Sequence, residues 1–386
     1  MNTFEKDNRY IAGTYKRFPV EIARGNGSLA YDSEGKEYID LASGIAVNTF
    51  GYCDPQWIAA INDQLSSVQH TSNLYYTSPC VSLAEMLCER TGMKKIFFAN
   101  SGAEANECAI KAARKYAENK GLKEPVILTL ENSFHGRTLT TLAATGQDSF
   151  HKDFLPLTKG FEHTRANDIP ALEAAVKKFS PCAVMFEVVQ GEGGVNALDH
   201  DFVEKIAEIC QENDILMIVD EVQTGNGRTG KLYGYMNYGI APDIVTTAKG
   251  LGGGLPIGCC MLSEKMSNIF TYGSHGSTFG ANPICCAGAL NILSRLNEDV
   301  LDGVIHRNEI IKSTLEGCEG IIGVSGMGLM LGIETVKPAG EIINYCLEHG
   351  VLVISAKTKV RLLPPLNIPI DLLKKALAVI KEACKA

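Results

Sequence analysis

A lysine and an aspartate carry the most chemistry in this sequence. Lys249 follows a short β-branched run, Ile244–Thr247, and leads at once into Gly250-Leu-Gly-Gly-Gly254. Strand ends that open into flexible backbone are where α/β proteins hold reacting groups. A lysine shielded from water there keeps a neutral amine, a nucleophile able to form a Schiff base with a carbonyl. Upstream, the apolar run Ile215–Val219 ends at Asp220, 29 residues before Lys249. That interval fits one strand, a connection and a neighbouring strand. A carboxylate and a lysine on adjacent strand ends suit pyridoxal 5′-phosphate (PLP), which needs an amine for its aldehyde and an anion beside its ring nitrogen. Taken alone, a lysine before a glycine-rich turn is more often a solvated surface residue. The pairing with Asp220 is what changes the reading.

Further stretches repeat the pattern of a polar group just past a strand. Ser101-Gly-Ala-Glu-Ala-Asn-Glu107 opens a helix, with Ser101 and Glu104 at capping-box spacing. Gly102 and Ala103 leave that helix N-terminus open to an anion such as a phosphate; an ordinary well-capped helix is the plainer use. Phe134-His-Gly-Arg137 offers an aromatic to stack on a heterocycle and a guanidinium to clamp a carboxylate. In isolation, a core Phe beside a solvated Arg is the better reading. In Val189-Gln-Gly-Glu192-Gly-Gly the glycines suit close backbone approach, with Glu192 facing a site or a mere surface turn. Ser277 and Thr278 lie in a Gly-rich loop before a helix, where capping is the commoner role. Arg361 sits on a strand, where charged residues normally face water. Each signal is modest; their succession, one after each strand, is hard to produce by chance.

These residues need a scaffold. At 386 residues the chain exceeds one ordinary core. Apolar runs Ile96–Ala99, Val126–Leu130, Ala183–Val189, Ile215–Val219, Ile244–Thr247 and Ile257–Leu262 read as buried strands. Amphipathic helices such as Ala103–Asn119 and Phe202–Asn213 lie between them, which predicts a mostly parallel sheet covered on both faces. Residues 18–48 read as a meander of hairpins with Asp32-Ser-Glu-Gly as the clearest turn. Residues 1–49 are expected to join a smaller α+β domain, 295–386, beside a large domain spanning 50–294. A net charge of −8 argues against nucleic acid and anionic membrane surfaces as partners. No apolar run has bilayer-spanning length and the N-terminus carries no secretory h-region. Thirteen cysteines without C-x-x-C spacing fit reduced thiols of a cytoplasmic protein, and no histidine spacing suggests a metal site.

Taken together, the stretches resemble the class III (ω-amino acid:2-oxoglutarate) aminotransferases of PLP fold type I, nearly end to end. Asp220-Glu-Val-Gln-Thr-Gly…Gly-Arg-Thr-Gly230 and Ala248-Lys-Gly-Leu-Gly-Gly-Gly254 carry the resemblance most specifically. It implies an aspartate aminotransferase-like α/β fold and a homodimer with shared active sites. It further implies Lys249 as the Schiff-base lysine and Asp220 as the partner of the ring nitrogen. Ser101, Gly102 and Ala103 would bind phosphate, with Thr278 arriving from the neighbouring subunit. Phe134 and Val222 would hold the ring and Gln223 its oxygen. Arg137, Ser277, Tyr15, Glu192 and Arg361 would form the substrate side, Glu192 pairing with Arg361 when an ω-amine is bound. Tyr15-Lys-Arg-Phe-Pro-Val, Gly44-Ile-Ala-Val-Asn and Ser274-His-Gly-Ser-Thr-Phe-Gly are similar to the members that act on N2-acetylornithine and 2-oxoglutarate in arginine biosynthesis. Succinylornithine, N-succinyl-diaminopimelate, ornithine and 4-aminobutyrate stay open as amine donors, and an aminomutase is the reading from another reaction class. Three departures stand out: Gly51-Tyr-Cys-Asp-Pro for G-H-x-H-P, Val188 for a proline, and Ala281 for a glycine.

Overall fold

The computed structural model describes residues 1–385. Its centre is a seven-stranded sheet of β1 (Lys95–Ala99), β2 (Ile127–Leu130), β3 (Phe161–Thr164), β4 (Ala183–Phe186), β5 (Leu216–Asp220), β6 (Ile244–Thr247) and β7 (Gly258–Leu262). The spatial order is β1-β7-β6-β5-β4-β2-β3. β5 runs parallel to β4 and β6, and β2 runs parallel to β3 and β4. β7 is antiparallel to both of its neighbours. The ten residues between β6 and β7 hold only a single 3₁₀ turn, too little chain for a crossover helix, so the strand must come straight back.

The sheet is apolar on both faces, and strand alternation sorts its side chains into two cores. Leu216 and Ile218 pack with Ala109, Ile110 and Ala113 of helix Gly102–Asn119, whereas Met217 and Val219 join Leu172, Phe202 and Ile206 on the other side. Ala183–Val189 does not continue as one strand: β4 stops at Phe186 and Val189–Gln190 pairs separately with Asn196–Ala197. The break falls at buried Glu187, whose carboxylate accepts the Phe134 N–H instead of facing a strand neighbour's apolar side chain. β3 lacks an apolar run because it is the sheet's edge, half-exposed with sequence Phe-Glu-His-Thr.

The N-terminal meander forms from Ile22–Asn26, Leu29–Asp32 and Glu37–Asp40, all antiparallel. Its turn is built as Asp32-Ser-Glu-Gly suggested, with Asp32 Oδ1 accepting from the Glu34 and Lys36 N–H groups. Glu37–Asp40 then pairs in parallel with Val351–Leu352. A separate antiparallel sheet holds Ile321–Met327, Met330–Thr335, Ile354–Ala356 and Lys359–Leu362. Val351–Leu352 and Ile354–Ala356, one residue apart, therefore belong to two different sheets. One of the three sequence departures proves to have a structural role. Asp54 caps helix Pro55–Ser67 at the Trp57 N–H and forms a two-pronged ion pair with Arg295 at 2.6 and 2.9 Å. Ala281 adopts φ +64°, left-handed backbone where a glycine would be at ease. Val188 is fully buried. No helix among the described residues is long and apolar enough to cross a membrane, and no disulfide forms among them.

Candidate active site

The loops leaving the C-terminal ends of β1, β2, β4, β5 and β6 meet around a cleft of about 450 Å³. Asn100–Ala103, Phe134–Arg137, Glu187, Asp220, Gln223 and Lys249 contribute to its wall. Lys249 stands where β6 gives way to a 3₁₀ turn, with φ +44°, a conformation non-glycine residues seldom adopt. The turn is held from outside: Thr49 Oγ1 donates to the Gly250 carbonyl at 2.7 Å and Trp57 Nε1 to that of Gly252 at 3.1 Å. Burial lowers the Lys249 pKa, favouring the neutral amine that a nucleophile or proton carrier needs.

Asp220, at the end of β5, is almost wholly buried. Its Oδ2 accepts from Asn106 Nδ2 at 2.7 Å and lies 2.8 Å from His135 Nδ1. Its Oδ1 accepts only the Val222 N–H, at 3.0 Å. Val222 in turn fills the space a side chain at Gly102 would need, 2.6 Å from an added Cβ. Ser101 caps helix Gly102–Asn119 by accepting the Glu104 N–H at 3.2 Å. The reciprocal half of the capping box is displaced by one residue, because Glu104 accepts from Asn100 N instead of Ser101 N. The Gly102 and Ala103 N–H groups find no acceptor among the described residues. A lysine amine, an oriented carboxylate, two free N–H groups at a helix N-terminus and a flat aromatic, Phe134, therefore converge on one cleft. That donor set fits PLP.

Next to the lining residue Gln223, Arg361 Nη1 donates to Glu192 Oε1 at 2.6 Å and to Gln223 Oε1 at 3.1 Å. Arg361 is 3% exposed although it lies on a strand, because Glu192 and Gln223 supply partners inside the protein. Burial alone would raise the Glu192 pKa, but the Arg361 guanidinium outweighs it and holds the carboxyl below its usual range. Gly191 has no room for a Cβ because the Gln223 amide occupies that space. Arg137 is exposed at the cleft's edge and rests its guanidinium 4.0 Å from the centre of the Phe150 ring. It has no carboxylate partner among the described residues, so its charge is available.

Five expected site residues lie off the wall: Glu192 and Arg361, which join it only through the Arg361–Gln223 bond, and three more. Tyr15 is exposed on the N-terminal segment, Thr278 is exposed on its loop, and Ser277 reaches the site only through Asn100, whose Nδ2 donates to its Oγ at 3.2 Å. Three others were not anticipated: Asn106, His135 and Glu187. Glu187 carried a usable signal, since Ala183-Val-Met-Phe-Glu ends an apolar run in an acid as Ile215–Asp220 does. Burial, then the nearby Asp220 charge, pushes the Glu187 pKa well above the usual carboxylate range.

The family profile described as Aminotransferase class-III matches residues 10–384. The chain is 46% identical over 379 residues to the acetylornithine aminotransferase of Haemophilus ducreyi, covering 97% of this chain and 96% of that protein. It is 45% identical over 390 residues to the enzyme of that name from Caldanaerobacter subterraneus, with 99% and 98% covered. Among solved structures, an ornithine aminotransferase from Toxoplasma gondii matches with TM-score 0.94 at 31% identity, over 99% of this chain and 94% of that one. The N-acetylornithine aminotransferase of Stenotrophomonas maltophilia matches with TM-score 0.85 at 33% identity, over 98% of both chains. With a matching profile that spans almost the whole chain, and a lysine and carboxylate already placed at neighbouring strand ends, the protein belongs to the class-III aminotransferases.

Proposed function

We propose that this PLP-dependent transaminase moves the ω-amino group of N2-acetylornithine to 2-oxoglutarate, releasing N-acetylglutamate semialdehyde and glutamate, a step of arginine biosynthesis in the cytoplasm. Bound in the cleft, PLP supplies an electron-withdrawing ring that stabilises negative charge on the substrate carbon bearing nitrogen. Asp220 Oδ1 would meet the ring nitrogen, and Gly102 and Ala103 with the Ser101 hydroxyl would receive the phosphate. Phe134 and Val222 would hold the ring and Gln223 its oxygen. Lys249 Nζ, its pKa lowered by burial, would carry the proton at the substrate carbon bearing nitrogen.

The substrate side must accept two unlike molecules. Acetylornithine offers an amine at a chain end, whereas glutamate carries a carboxylate beside its amine. With the 2.6 Å Glu192–Arg361 bond closed, the Arg361 charge is masked and the acyl-diamine enters by its amine. With the bond open, Arg361 takes the α-carboxylate. Arg137 anchors the distal carboxylate of either substrate, with Ser277 and Tyr15 completing that side. The closed pair is the observation that carries this reading, together with relatives that bear the acetylornithine name over nearly their full length. We further propose that a large unit, 50–294, and a smaller one, 1–49 with 295–386, flank the cleft. A homodimer would then supply Thr278 from the second subunit.

The test is a panel of amine donors with 2-oxoglutarate: acetylornithine, succinylornithine, N-succinyl-diaminopimelate, ornithine and 4-aminobutyrate. Acetylornithine should have the highest kcat/KM, and turnover should stop when 2-oxoglutarate is omitted. A higher value for another donor would reassign the substrate. Conversion without the keto acid would make the enzyme a mutase.

A further inference from the structure

Two lysines beside Arg361 have no task in the mechanism above. Strand Lys359–Leu362 pairs with Ile354–Ala356 through Ala356 and Lys359, which leaves Lys357-Thr358 as a two-residue turn. Lys357 holds φ +52° in that turn, left-handed backbone where a glycine or asparagine is the ordinary choice. Side chains two apart on a strand share a face, so Lys359 and Arg361 leave the strand on one side, about 7 Å apart along the backbone. Exposure falls along the row: Lys357 is exposed, Lys359 half-buried and Arg361 buried.

All three reach segments that follow β2, β4 or β5. Lys357 Nζ donates to Asn132 Oδ1, two residues before Phe134 of the cleft wall. Lys359 Nζ donates to Asn196 Oδ1 at 3.0 Å and to Ser325 Oγ at 2.8 Å. Asn196 pairs with Gln190, closing the hairpin whose turn holds Glu192. The two loops touch, since a Cβ added at Gly193 would lie 2.5 Å from the Asn132 carbonyl oxygen. The partners of both lysines are neutral, and Glu192 is the one carboxylate bonded to the row among the described residues. Three cations thus share one bonded anion, in a chain of net charge −8. Lys16 extends the positive surface outward, because with Lys357 it lines a groove of about 740 Å³, where Arg17 is already paired with Asp7.

We infer that Lys357 and Lys359 form, with Arg361, a cationic row that draws dicarboxylate substrates to the cleft. A protein of negative net charge repels a dianion at long range, and a local row of cations without bonded acids reverses that sign where the dianion enters. One unit charge about 10 Å away concentrates a dianion about fourfold in water and a monoanion about twofold, while a molecule of zero net charge gains little. 2-Oxoglutarate is a dianion and glutamate a monoanion at neutral pH, whereas acetylornithine carries one charge of each sign. The benefit is therefore graded by substrate, and added salt removes it.

This inference rests on 2-oxoglutarate being the amino acceptor, and the experiment separates the two. Second-order rate constants of the half-reactions are measured by stopped flow on the wild-type holoenzyme and on the double variant Lys357→Gln, Lys359→Gln. In about 10 mM salt, where screening acts over about 30 Å, the variant should react about 5- to 15-fold more slowly with 2-oxoglutarate. With glutamate the loss should be about two- to fourfold, and with acetylornithine less than about 1.5-fold. In about 1 M salt, where screening acts over about 3 Å, the two enzymes should agree within about twofold for every substrate. Replacing both lysines by arginine should keep the wild-type rates. Asn196→Ala, which removes a bond but no charge, should keep the wild-type salt dependence. Equal slowing with all three substrates, a loss that persists in high salt, failure of arginine to substitute, loss of the salt dependence in Asn196→Ala, or wild-type rates in low salt would each overturn the proposal. A wild-type enzyme unable to use 2-oxoglutarate would instead overturn the acceptor given to it.

Discussion

Two clusters at the site, one around Asp220 in the cleft wall and one around Glu192 next to Gln223, are built on opposite principles. On the side of Asp220, buried polar groups satisfy one another through short bonds from four different segments: Asn106, His135, Thr246 and the Val222 amide. On the side of Glu192, Arg361 alone bonds across segments, to Glu192 and Gln223, the Glu192 side chain is 28% exposed, and Gly191, Gly193 and Gly194 surround it. Asp220 sits on a sheet strand packed on both faces; Glu192 sits on a turn. A buried charge held by several donors cannot turn without leaving groups unpaired. A part-exposed carboxylate beside glycines can swing to water, but the buried Arg361 then keeps only Gln223 and needs another anion to pair its charge. In the proposed function, the cluster that would hold the cofactor is preorganised, and the cluster that would meet exchanging substrates keeps one movable contact.

Lys249→Ala is the most severe way to break this contrast, because it removes the proton carrier outright. Transamination should fall to background while circular dichroism keeps the wild-type fold. Turnover without added amine would disprove the role. Asp220→Ala comes next. Losing hydrogen bonds to a charged group worth about 1.5–3 kcal/mol should lower kcat by one to two decades and weaken PLP binding. A near-normal kcat would mean another group faces the ring. Glu192→Ala attacks the movable cluster, and there the effect should be selective: single-turnover reaction with acetylornithine slows, while that with glutamate is unchanged or faster. Equal slowing of both would reduce Glu192 to a structural residue. Smallest is Ala281→Gly, which should raise the chemical-denaturation midpoint by about 0.5–1 kcal/mol of stability by relieving a left-handed backbone. A lower midpoint would show that the alanine is not strained there.

Much of the sheet was legible because its strands are buried on both faces and read as continuous apolar runs. β6 was bounded correctly at Ile244–Thr247, and the expected residues following β1, β2, β5 and β6, Ser101, Arg137, Asp220 and Lys249 among them, do gather at one cleft. The edge strand β3 left no such run, and the reversal of β7 was visible only in the shortness of its connection. Ser43–Ala46 shows the other limit. All four residues have positive φ, between 49° and 64°, though one of them is glycine. Asp40 Oδ1 accepts the Ala42 and Ser43 N–H groups, and Leu363 and Leu366 bond to Leu41 and Thr49 on either side. Contacts from residues more than 300 positions away impose that turn, so local preference could not foretell it.

What the sequence determined by itself was the alternation of strands and helices and the chemical type of each group at a strand end, since both depend on neighbours along the chain. The tertiary structure alone decided which of those groups meet. It set Arg361 against Glu192 and Gln223, left Tyr15 and Thr278 facing outward, and enlisted Asn106, His135 and Glu187. Hydrogen bonds act over about 3 Å, and the residues that share them here are brought within that distance only when the sheet is assembled.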